Sequence, residues 1–132
     1  MSRERDKLVA EHVFGWQLTE CLLHPVPRWE WVDADGDKLP YWHENREDAI
    51  YQLPHFSTSI ADAWTVVERM GLSVLSLEGT WIAGKLYQSV YFDSDTEVLD
   101  GHLGNNAEAD TAPMAIALAA LKAAGVEIPA NA

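Results

Sequence analysis

Few features that announce an activity are present in this chain of 132 residues. It has a single cysteine, Cys21, which excludes an internal disulfide and any zinc site built from several thiolates. Followed by Leu22 and Leu23, that thiol reads as a small buried hydrophobe. No apolar run approaches the ~18 residues of a membrane span, and the charged N-terminus lacks the apolar core of a signal peptide. The expectation is a cytosolic, cytoplasmic protein that does not engage membranes. Basic residues are scarce: 9 Lys and Arg face 21 Asp and Glu, for a net charge of −12. Duplex nucleic acid is bound by neutralising phosphates with cations, so double-stranded nucleic acid is not an expected partner.

Catalytic motifs are also missing. The five histidines (His12, His24, His43, His55 and His102) show no metal-binding i, i+4 pair, and the chain has no GxSxG, P-loop or GxGxxG. Asp33, Asp35 and Asp37 with Glu44 imitate the acidic positions of a calcium loop. The sharp-turn glycine is replaced by Lys38, so the segment reads as a β-turn. The acidic triplet Asp93, Asp95 and Glu97 fails for the same reason, with Val98 at the glycine position. No metal, cofactor or catalytic residue is expected, and the chain reads as a non-enzyme.

What is present is one domain's worth of amphipathic segments, over 1–132. Leu8, Val9, Val13 and Trp16 lie at helical spacing, with Gly15 as a C-cap. Trp29, Trp31 and Val32 read as a strand. The polar and aromatic stretch from Lys38 to Gln52 reads as a long loop, with a short helical or strand piece at either end. In LPHFSTSIADAWTVVERMG, Ser57, Thr58 and Ser59 precede a helical stripe of Ile60, Trp64 and Val67, widened by Ala63, Val66 and Met70. Ser73–Leu77 and Trp81–Phe92 form an antiparallel hairpin, with Gly84 marking a bulge or bend. Asp93–Asn106 reads as an acidic, glycine-bearing loop. An Ala-rich helix follows, capped by Asp110 or Thr111 with Pro113 in its first turn. This order predicts an α+β fold, a layered α/β/α sandwich with a small antiparallel sheet and about three helices.

Three segments together resemble the phage ABA sandwich domain, a family of small phage and prophage proteins. They are Leu8-Val9 through Phe14-Gly15-Trp16, then Leu53-Pro54-x-Phe56-Ser57-Thr58 with Ala63-Trp64, and Ala107 through Pro113 with Ala115-Ile116 and Ala120-Leu121. Against the compact family pattern, segments near 38–52 and 93–106 read as insertions, where specificity would differ. The resemblance implies the fold and no enzyme activity. Its phage context suggests an anti-defence protein that sequesters a nucleotide-derived immune signal, of cyclic nucleotide or ADP-ribose type.

The residues offer two materials for such a site. Six tryptophans are present. Trp16 and Trp64 sit on helical stripes and read as core, whereas Trp42, beside Tyr41, belongs to no stripe. A ring of this kind can stack a base, and Tyr41, Trp42 and Trp81 are the candidates. The helix starts at Ser57, Thr58 and Thr111, with His55 at the mouth of the first, can hold phosphates through free N–H groups and hydroxyls. The same hydroxyls can equally well be helix caps, and the rings can equally well be core. An anionic ligand would further require Arg28, Arg46, Lys85 or Lys122 to be gathered at the pocket. A homo-oligomer sharing a pocket would bury more of the ligand. The competing expectation is an acidic module that blocks a host protein or mediates phage protein assembly.

Overall fold

The computed structural model describes residues 3–22, 25–93 and 96–127, and for 77 and 87–102 only the backbone. Among these residues run α1 (Glu4–His12), β1 (Gln17–Cys21), β2 (Arg28–Val32), β3 (Lys38–His43), α2 (Arg46–Tyr51) and α3 (Ile60–Met70). Then come β4 (Ser73–Leu77), β5 (Thr80–Asp93), β6 (Thr96–Ala109) and α4 (Ala112–Ala123). The strands form two antiparallel three-stranded sheets, sheet A in the order β1-β2-β3 and sheet B in the order β4-β5-β6. The α+β class expected from the sequence is the class found.

The Ala-rich helix is the centre of the packing. α4 lies on β5 and β6, while α1 and α3 pack against α4. Its Ala115, Ile116, Ala117, Ala119, Ala120 and Leu121 are fully buried, because alanine lets backbones approach closely on every side. Thr111, not Asp110, caps it, accepting the Met114 N–H at 3.4 Å.

Three segments differ from their sequence reading. The stretch 38–52 has the short strand and helix expected at its ends, but no long loop between them: β3 runs into α2 through a two-residue connection capped by Asn45. The expected acidic loop is largely β6, a 14-residue strand paired with β5 from Asp93↔Thr96 to Trp81↔Ala109. Its glycines and acids suggested a loop, but cross-strand pairing satisfies the backbone where a structureless stretch of that length would not. Gly84 does mark a register shift, opposite Asn105, whose φ of +50° makes the bulge. Finally, Trp64 is not core: it is 51% exposed, and Ile60 beside it is exposed too. The buried face of α3 is Ala63, Val66 and Val67, because the small Ala63 permits close packing on α4. Trp64, one residue and ~100° further round, then faces outward.

Candidate functional site

The Ser-Thr-Ser run is first a piece of architecture. Ser59 caps α3, accepting the Asp62 N–H at 3.4 Å, and Asp62 reaches back to accept the His55 N–H at 2.8 Å. Ser57 is buried, and its N–H donates to the carboxylate of Asp6 at 2.8 Å. Asp6 also accepts from Arg3 Nε at 2.7 Å, and Arg3 donates onward to the carbonyls of Tyr51, Leu53 and Pro54. Two N–H groups of this turn, those of His55 and Ser57, are therefore taken by the chain's own carboxylates. His55 and Thr58 are exposed at this turn, and the Thr58 N–H is spent on the His55 carbonyl. Nothing in the local sequence pattern showed that Asp6 would arrive from 51 residues away.

The other expected site residues are not gathered at that turn. Tyr41 and Trp42 are neighbours on β3 and so point to opposite faces of sheet A. Tyr41 turns inward, 5.8 Å from the Trp16 ring. Burial, with the negative charge of Asp62 added, pushes its phenol above the ordinary value. Trp81 lies on β5 packed against the core, and Thr111 is at the head of α4. His24 and Asp95 lie outside the described residues, and the structure describes no side chain for His102.

Trp42 is the exception. It is 46% exposed on the outer face of sheet A, whose inner face carries the fully buried Trp31, its Nε1–H donating to the Ala49 carbonyl at 3.0 Å. The register sets Glu30 opposite Trp42, so Arg28, Glu30 and Trp42 share the outer face. The Arg28 guanidinium stands 4.4 Å over the Trp42 ring and gives its Nε–H to Glu30 Oε1 at 2.6 Å; Lys38 Nζ lies 3.4 Å from Oε2. Burial by itself raises the Glu30 pKa, but the Arg28 hydrogen bond and the two cationic charges outweigh it, and the carboxyl titrates below its ordinary range. Of the four cations named as candidates, Arg28 reaches this face. Arg46 instead lies 5.8 Å over the Trp29 ring, and Lys122 donates to the Asn106 carbonyl.

Beside Trp42, at the end of β3, an open cleft of about 500 Å³ is lined by Pro40, Trp42, His43, Glu44 and Gln52. His43 Nδ1 accepts the Asn45 N–H at 3.0 Å, which fixes the ring at the cleft wall. A second open cleft, of about 250 Å³, lies between α1 and α2 and is lined by Arg3, Glu4, Lys7, Arg46, Glu47, Ile50 and Tyr51. Among the described residues no cluster of three or more His, Cys, Asp or Glu is placed to hold a metal. The Asp33 carboxylate is occupied by its own turn, accepting from the N–H groups of Asp35 and Asp37. Cys21, expected to be buried, is partly exposed at the end of β1. No helix of the described residues is long and apolar enough to cross a membrane.

The family model of the phage ABA sandwich domain matches residues 7–121. The chain belongs to that family. Among solved structures it is similar to a phage protein from Bacillus cereus ATCC 14579, known from a 2.0 Å crystal structure, at 22% identity and a TM-score of 0.53. The match covers 98% of this chain and 93% of that one, and at this identity it establishes a shared fold. No curated protein matches the chain.

Proposed function

We propose that this ABA sandwich domain is a non-enzymatic binding protein that sequesters a nucleotide-derived immune signal on the outer face of sheet A. One observation carries the reading: a half-exposed indole, Trp42, braced on a guanidinium and forming a wall of a cleft of about 500 Å³. Ligand clefts commonly fall within ~300–1,000 Å³. A base stacked on Trp42 would gain roughly 1–3 kcal/mol, and Arg28 and Lys38 would meet its phosphates. The proposed site keeps Trp42 from the sequence reading and replaces the helix starts with these two cations, since the Ser57 N–H donates to Asp6 and the Thr111 hydroxyl accepts the Met114 N–H.

The test is thermal unfolding against cyclic dinucleotides, cyclic mononucleotides and ADP-ribose derivatives. At 100 times its dissociation constant a ligand adds about 2.7 kcal/mol, and Trp42→Ala should abolish the shift. Recovery of intact ligand after denaturation supports sequestration. Recovery of a cleaved product would make the protein an enzyme, and no shift with any ligand sinks the reading.

A second reading has its own observation. Ile60 and Trp64 are exposed at i, i+4 on α3, and large apolar anchors of this kind suit a protein partner. Under this reading the acidic domain blocks a basic site on a host protein, its affinity falling steeply with salt and with Trp64→Ala, while Trp42→Ala leaves it unchanged.

A further inference from the structure

The cleft beside Trp42 carries an ordered set of hydrogen-bonding groups. Alternation along β3 puts Lys38, Pro40 and Trp42 on the outer face of sheet A, and the chain then turns through Glu44 and Asn45 into α2. Arg28 stands over one face of the indole, so a base stacks on the other. Pro40 has no N–H and adds apolar surface. Polar recognition by side chains in the cleft therefore falls to His43, Glu44 and Gln52.

His43 is held in one tautomer. Its Nδ1 accepts the Asn45 N–H at 3.0 Å, which assigns the proton of the neutral ring to Nε2 and makes Nε2–H a donor. Asp48 Oδ2, 3.7 Å from Nδ1, is beyond hydrogen-bond reach and does not alter that assignment. Glu44 is the complement. It is exposed beside His43, and among the described residues no donor of the chain holds its carboxylate. A carboxylate accepts through two oxygens side by side and donates nothing. Gln52, whose amide both donates and accepts, discriminates less.

Resting on the nucleotide-binding reading above, we propose that the cleft selects guanine: Glu44 accepts from N1–H and the N2 amino group together, and His43 Nε2–H donates to O6. The Watson–Crick edge of guanine presents an acceptor and two adjacent donors, and these side chains supply a donor and two adjacent acceptors. Guanine is the one common base with two adjacent donors on that edge. Adenine and cytosine set a lone pair beside their amino group, and uracil flanks its N–H with two carbonyls. One carboxylate oxygen then faces a lone pair, and the charge-assisted bond left unmade is the source of the discrimination. Lys38, at the start of β3, and Arg28 are left for the phosphates.

The experiment is calorimetric titration of the full chain with GMP, IMP and AMP, and with cyclic di-GMP against cyclic di-AMP. IMP keeps the O6 and N1–H of guanine and lacks the amino group. GMP should bind about tenfold or more tightly than either IMP or AMP. Glu44→Gln should bring the three within about threefold of one another, and because Glu44 is exposed the variant stays folded. His43→Ala should weaken GMP and IMP and leave AMP, which has no O6, unchanged. Adenine ligands bound as tightly as guanine ones, or a guanine preference that Glu44→Gln leaves intact, overturn the proposal. An equal loss for all three nucleotides in His43→Ala overturns the role of His43. If ADP-ribose derivatives alone bind, and Trp42→Ala abolishes that binding, guanine selection fails while the binding reading stands; if nothing binds, both fail.

Discussion

Asp6 Oδ1 accepts the N–H of Ser57 at 2.8 Å, tying the first helix to a turn 51 residues further along the chain. The same carboxylate holds Arg3, whose guanidinium also closes onto the Leu53 and Pro54 carbonyls. Asp6 is 1% exposed, so removing it strands a buried cation and a buried N–H together. Asp6→Ala should cost about 3 kcal/mol in urea unfolding. Asp6→Asn keeps an acceptor for Ser57 and should cost less; equal losses would show that the retained acceptor contributes nothing and the charge everything.

Glu30 makes stability depend on pH with a definite sign. Its pKa in the folded state lies below the ordinary 4.5, so the unfolded chain binds its proton more readily than the native state does. Its contribution is fully present above the unfolded value and is lost as the pH falls through the lowered native one. Glu30→Gln should therefore be less stable than wild type at pH 7, with the gap narrowing below pH 4.5. A gap of constant size between pH 7 and pH 3 would contradict this.

The tryptophans separate by face. Trp31→Ala should lose roughly 3–5 kcal/mol, since the ring is fully buried and its N–H is bonded to Ala49. Trp42→Ala and Trp64→Ala should each lose no more than about 1 kcal/mol, the first mainly through the Arg28 contact. Chemical denaturation of the three variants ranks them directly.

Gly84→Ala should destabilise by about 1–3 kcal/mol, because a Cβ there would meet the Gly104 carbonyl oxygen at 3.0 Å and Asn106 Cα at 3.1 Å, both backbone. Gly71→Ala meets no neighbour within 4 Å and carries only the strain of its φ of +66°, about 1 kcal/mol. Thermal unfolding should place the first variant below the second.

Local chemistry was legible in the sequence. Helical periodicity and end signals located α1, α3 and α4, because capping and amphipathic spacing act within a few residues: Ser59 and Thr111 cap, and Gly71 closes its helix in the left-handed region. The hairpin and the Gly84 bulge were legible for the same reason. Trp42 could be named as a ring with no stripe to bury it. The tertiary structure decided the rest. Which side of α3 faces α4 depends on how closely two helices approach: the spacing alone puts Trp64 in the core, and the packing puts Ala63 there instead. β6 exists because β5 lies beside it, a pairing that no local pattern in a glycine-bearing acidic segment reveals. The partner of the Ser57 N–H was decided by Asp6, and the setting of Trp42 by Arg28, Glu30 and Lys38. These charges are brought together across strands and helices, and the energies that bind them depend on distances set only once the chain has folded.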